Sequence, residues 1–198
     1  MSPTGDTAQH HETRGVERGK LGKGVAYVSP GEGTRSLWVL DELLTYKVPS
    51  HQTGGAYSLF EATSHPGSGP PPHIHHREDE SFYVLEGEYE FLIDGHTKKA
   101  GTGSLLCVPK GVLHAHRIVG DGPGKMLLIQ TPGGLYEHFF EKAGRPANHN
   151  DDDPPFFEER PETERRRIAE VAAEHGTEIP PSFAEESRPK DTMEGGRR

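Results

Sequence analysis

The sequence predicts an all-β fold, an antiparallel barrel or sandwich with helices after it, and three observations carry that expectation. Short apolar runs recur at even spacing between turn residues through the middle of the chain. Glycine and proline are abundant, 25 and 17 among 198 residues, which suits many tight turns better than a helical bundle. No helical stretch separates the runs between residues 56 and 130.

Taken in order, residues 1–24 are polar and aperiodic and are expected to form a disordered tail. Strand candidates follow at 24–28, 37–40, 43–44, 46–48 and 56–60, punctuated by Pro30-Gly31, Pro49 and Gly54-Gly55. The best-patterned stretch holds strands at 81–85 and 89–93 on either side of Gly87, with Asp94-Gly95 as a hairpin turn. Strands at 105–108, 114–119 and 126–130 complete the series, so the barrel is placed at 25–145. Residues 135–143 read as a helix with Leu135, His138 and Phe139 on one face and Gly144 at its end. A linker around Asp151–Asp153 and a surface helix from Pro161 to His175, with Ile168, Val171 and Ala172 as its narrow apolar stripe, occupy 146–183. Residues 184–198 are expected to be a second disordered tail.

Composition narrows the function classes. Hydrophobic residues are 31% of the chain and mean hydropathy is −0.76, so part of the length lies outside a compact core. Net charge is −9, and no basic stripe is present, which argues against a nucleic-acid partner. A single cysteine, Cys107, excludes an intramolecular disulfide and reads as a small core residue. No apolar signal core and no run of about 20 apolar residues is found. A soluble cytoplasmic protein without a membrane partner is the expectation.

Histidine is the anomaly, with 13 residues, and His73, His75, His76, His114 and His116 form two tight groups. Gly67, His73, His75, Glu80 and Gly87 are separated by five, one, four and six residues. Gly103, Pro109, Gly111 and His114 follow with five, one and two between them. In a strand, residues two apart share a face, so His73 and His75 point one way, as do Glu80, Phe82 and Val84. The Pro109–Gly111 turn brings His114 back beside them. Three imidazoles and a carboxylate make an N₃O set suited to one divalent transition metal, and Fe, Mn, Ni, Co, Cu and Zn all remain open. By composition, both patterns together arise in about one such chain in a million, so coincidence is set aside. His76, Glu78 and Asp79 fall off the ligand face and are assigned to solvent. His116, two residues past His114, faces inward as an outer partner or an acid/base group.

These two motifs, 15 residues apart, resemble those of the cupin superfamily. The segments 108–117 and 131–141 are similar to single-domain bacterial quercetin 2,3-dioxygenase-type cupins. The resemblance implies a double-stranded β-helix, or jelly-roll, barrel with C-terminal helices packed on it. It implies His73, His75, Glu80 and His114 as metal ligands, with Glu80 also the base that takes a substrate hydroxyl proton. Where the superfamily often carries Asn, four residues after His114, this chain has Ile118, which loses no ligand and makes the wall more apolar. Tyr57, Phe60, Phe82, Tyr89 and Phe91 are core by default. Phe82 and Val84, on the ligand side, are the best candidates for the pocket wall, with Ile118 and Tyr57 as further substrate contacts. Tyr83 and Leu85 face outward yet are apolar, so a homodimer is expected.

The activity so implied is a metal-dependent dioxygenase acting with O₂ on a small, hydrophobic, enolisable hydroxylated aromatic or natural product. Two alternatives stand beside it. One is a non-oxidative isomerase, epimerase or lyase using the same metal, and the other is a barrel that binds a small molecule without catalysis.

Overall fold

The computed structural model describes residues 16–18, 25–147 and 159–181. Strands β1 (Val16–Arg18) and β2 (Ala26–Val28) pair with each other. β3 (Ser36–Val39), β4 (Glu42–Val48), β5 (Ser58–Ser64), β6 (His73–His75), β7 (Asp79–Glu86) and β8 (Glu88–Ile93) follow. Then come β9 (His96–Gly101), β10 (Leu105–Val108), β11 (Leu113–Ile118) and β12 (Gly124–Thr131). Helix α1 (Leu135–Ala143), β13 (Arg145–Pro146), helix α2 (Glu162–Glu174) and β14 (Thr177–Glu178) end the described chain.

Two antiparallel sheets form a jelly-roll sandwich. One runs β10-β7-β12-β5-β4-β3-β13 and the other β14-β6-β11-β8-β9. Alternation explains why they face each other. Phe60 and Ala62 on β5, Phe82 and Val84 on β7, Tyr89 and Phe91 on β8, and Met126 and Leu128 on β12 are all buried in one core. Burying each of the larger of these side chains contributes about 1.5–3 kcal/mol. Asp94 (φ 46°) and Gly95 (φ 81°) close the β8–β9 hairpin in the left-handed conformation that a two-residue turn needs. The strand after it, β9, is polar and exposed, so no apolar run announces it. Gly69 lets the loop before β6 lie on β11, because a Cβ there would come within 1.8 Å of His116 O.

Several expectations need correction. A paired strand, β1, lies inside the N-terminal stretch expected to be a disordered tail, because the backbone of β2 offers it hydrogen-bonding partners. The remainder of 1–24, the linker at 151–153 and the tail at 184–198 lie outside the described residues. The inward face of α1 is Tyr136, Phe139 and Phe140 rather than Leu135, His138 and Phe139. Phe140 packs edge-on against Phe60 with ring centroids 5.1 Å apart, and the Glu137 carboxylate accepts hydrogen bonds from Ser50 N and Ser58 Oγ. These bonds fix the helix rotation. Gly144 does end α1, and a Cβ there would meet Phe140 O at 2.6 Å. The 146–183 region is more than a linker and surface helix, since Ile168 and Ala172 enter the core and β14 joins a sheet. Cys107 is exposed, not core. All four residues of β10 are apolar, so its sequence does not reveal that Val108 faces in while Leu105 and Cys107 face out.

Candidate metal centre

The four expected donors meet inside the sandwich. β6 delivers His73 and His75, β11 delivers His114 opposite His73, and β7 in the other sheet delivers Glu80. All four side chains are buried, and their ligand atoms lie within 4.8 Å of one another. His73 Nε2 is 3.2 Å from His75 Nε2, and Glu80 Oε2 is 3.1 Å from the Nε2 atoms of both His75 and His114.

The outer nitrogens explain this orientation. His73 Nδ1 donates to Pro71 O at 2.9 Å and His114 Nδ1 donates to Val112 O at 3.0 Å. Each Nε2 then carries a lone pair directed at the centre. His75 Nδ1 faces Glu78 Oε1 at 3.2 Å and Thr177 Oγ1 at 3.1 Å. Gln130, directly across from Glu80 in the β12–β7 register, donates from Nε2 to Glu80 Oε1 at 3.0 Å. Tyr136 from α1 sets its ring edge-on to His75 with centroids 4.6 Å apart.

These residues fit a divalent ion. The His73 and His75 Nε2 atoms, 3.2 Å apart, are close enough to share one proton or to converge on one cation. Ligands about 2.1 Å from a first-row ion stand about 3 Å apart when adjacent, which is the spacing found. Glu78 is 1% exposed, and among the described residues the His75 imidazole lies 3.2 Å from its carboxylate. It brings a second buried carboxyl group to the site, behind the His75 ring.

Burial disfavours the charge on His75, but the Glu80 and Glu78 carboxylates outweigh it and raise the imidazole to about 9. Burial, reinforced by the neighbouring His114 and His75, lowers His73 well below the ordinary range. Burial opposes ionisation of Glu80, yet His75 and His114 hold its carboxyl well below the ordinary carboxylate range. Burial and then the nearby carboxylates, Glu80 first, push the Tyr136 phenol well above its usual value.

The other expected residues are placed as follows. His116 is buried but lies outside the four-donor cluster, with Nε2 3.1 Å from Glu42 Oε1. Glu42 also accepts from Ser64 Oγ. Phe82 bridges the two groups, its ring 6.1 Å from His114 and 5.4 Å from His116. Val84 is in the core, and Ile118 packs beside Gly124, where a Cβ would strike its Cδ1 at 2.0 Å. Tyr57 is not brought to the cluster. It precedes β5 and is 39% exposed. Glu78, assigned to solvent by parity, is buried against His75, because the bend at 76–77 resets the alternation as the chain crosses between sheets. His76 and Asp79 are exposed, the first against Glu178 and the second capping Lys110 N.

Sequence reasoning missed Gln130, Glu42, Tyr136 and Thr177 as neighbours of the site. A signal existed for the first. Gln130 occupies an inward position on β12 after Met126 and Leu128, where a polar residue demands a partner.

Comparison with known proteins agrees with this geometry. Residues 60–130 match the Cupin domain family. Quercetin 2,3-dioxygenase of Bacillus subtilis (strain 168) is 32% identical over 123 residues, 62% of this chain and 36% of that protein. Germin-like protein subfamily 2 member 2 of Arabidopsis thaliana is 35% identical over 95 residues, 44% of this chain and 43% of that protein. The chain thus spans less than half the length of these relatives. Among solved structures, KdgF from Halomonas sp. superposes with a TM-score of 0.44 at 16% identity, covering 48% of this chain and 81% of that one. The cupin-domain match over residues 60–130 agrees with both motifs and with the jelly-roll sandwich that holds them.

Proposed function

We propose that this protein is a metal-dependent dioxygenase of the quercetinase-like type, oxygenating an enolisable hydroxylated aromatic or related natural product. One divalent transition metal would be held by His73, His75, Glu80 and His114. The observation that carries the reading is the Glu80 carboxylate among three inward-facing imidazoles, with the Phe82 ring beside His114. The similarity to a quercetin 2,3-dioxygenase supports it.

When bound, the ion supplies Lewis acidity toward a substrate oxygen. The protein's own residues do the rest. Glu80 is ionised and takes the proton of the substrate hydroxyl at its carboxylate, while the Gln130 amide holds Oε1 and keeps the group from rotating. Tyr136 stays a neutral phenol beside His75. The apolar walls keep water from the activated substrate. His116, with Nε2 committed to Glu42, is a fixed part of the pocket wall and not the base.

The test is oxygen uptake by metal-loaded protein with flavonols and other enolisable phenols. Glu80→Gln is expected to keep part of the metal and lose turnover, and unchanged turnover would remove Glu80 as base. Equal substrate consumption with and without air would replace the dioxygenase by a non-oxidative metalloenzyme. We also propose a homodimer through the outer face of β7 and β10, where Tyr83, Leu85 and Leu105 are 39%, 37% and 61% exposed. Sedimentation as a monomer at micromolar concentration would refute it.

A further inference from the structure

The segment after the barrel reaches back to one ligand of the proposed metal centre. Helix α2 seats Ile168 and Ala172 in the core, and β14 then pairs with β6 in the register Thr177↔His75 and Glu178↔Ile74. Thr177 is 2% exposed, and its Oγ1 is 3.1 Å from His75 Nδ1. Around it the docking is specific. His76 N donates to Gly176 O at 2.9 Å, and Glu178 meets His76 Nε2 at 2.9 Å. Arg77 lies so close to Gly176 that an added Cβ would come within 2.3 Å of Arg77 Cδ.

The three imidazoles are oriented by different means. His73 and His114 each bond a carbonyl two residues earlier in the chain, so those bonds form with the local backbone. His75 has side-chain partners only, Glu78 and Thr177, and Thr177 lies 102 residues away in sequence. Part of what aims its ring therefore comes with the docking of α2 and β14.

We propose that Thr177 is a positioning residue for the metal centre, so that ion binding and docking of the α2–β14 segment strengthen one another. The Thr177 hydroxyl, 3.1 Å from Nδ1, helps hold the His75 ring in the plane that points Nε2 at His73 and Glu80. Without the Thr177 hydroxyl, Nδ1 keeps the Glu78 contact but loses that hydrogen bond, and the aim of Nε2 is less tightly held. Linkage makes the effect reciprocal, since whatever docking adds to ion affinity the ion adds to docking. The inference rests on the metal reading of the same site.

The experiment uses the full chain with zinc(II) for affinity and cobalt(II) for its absorption spectrum. Thr177→Val keeps shape and strand but loses the acceptor. Zinc affinity is expected to fall about tenfold or more, as for other outer partners of metal ligands. The cobalt spectrum is expected to shift, and Thr177→Ser to restore both. In the unmutated protein, zinc is expected to slow amide hydrogen exchange across residues 162–178, a readout that needs no variant to fold. Zinc affinity and cobalt spectrum unchanged in Thr177→Val would overturn the positioning role. Zinc protection confined to β6 and β11, with 162–178 unmoved, would overturn the coupling. If the unmutated protein binds neither ion, the metal reading falls and this inference falls with it.

Discussion

His114 and His116 stand two residues apart on β11, face the same interior and are equally buried, yet their surroundings differ in kind. His114 points Nε2 toward the Glu80 carboxylate in a cluster that includes two more imidazoles. His116 points Nε2 at Glu42, which Ser64 also serves. The second group is an ion pair, because burial disfavours the imidazolium but Glu42 outweighs it and raises its pKa, while His116 Nδ1 meets no hydrogen-bond partner among the described residues. In the first, three imidazoles converge with one carboxylate, a donor set that a single ion can engage together. Strand parity decides which residues face inward, and the donors they meet there decide whether an outside ion is required.

The sharpest way to break this comparison is to remove each histidine in turn. His114→Ala is expected to lower zinc affinity by more than about 100-fold, beyond what outer partners cost, whereas His116→Ala keeps stoichiometric zinc. Equal loss in both, measured by elemental analysis and chelator competition, would merge the two groups into one site. Next in size is stability. His116→Ala strands the buried Glu42 carboxylate and is expected to cost about 3 kcal/mol or more in denaturant unfolding. Replacing both, as His116→Leu with Glu42→Met, is expected to recover most of that loss. A double variant as weak as the single one would show that the pair does more than satisfy itself.

How far all this could be read in advance depends on parity. Where a strand is regular, alternation placed Glu80, Phe82 and Val84 on one face of β7 and His114, His116 and Ile118 on one face of β11, and the structure buries all six. Alternation failed at Glu78, where the chain bends between sheets, and at Cys107, where every neighbour is apolar. Tyr136 and Thr177 lie outside the motif-bearing stretch, and only tertiary packing brings them to His75. No local pattern records a contact of that range. The α1 face was misjudged because Leu135 looked like an anchor, while Glu137, hydrogen-bonded to Ser50 and Ser58, sets the rotation.

The smallest effect concerns protons. In the ion-free centre His75 is raised to about 9, so its contribution to stability is complete below its ordinary value near 6.5 and is lost as pH rises through about 9. An ion must displace that proton. Zinc affinity is therefore expected to rise about tenfold per pH unit between about 6.5 and 9, with about one proton released per ion. A flat profile in competition titrations at several pH values would mean that His75 is already neutral before the ion arrives.

Glu80 belongs to one layer of the sandwich and the three imidazoles to the other. An ion among them would rivet the layers together, in a chain whose sole cysteine cannot cross-link it internally. Side-chain packing alone lets two sheets breathe against each other, but coordinate bonds pin them at that point. The seam would then be stiffest beside residues 73–80 and 114, and any parting of the layers to admit a substrate would occur farther along it.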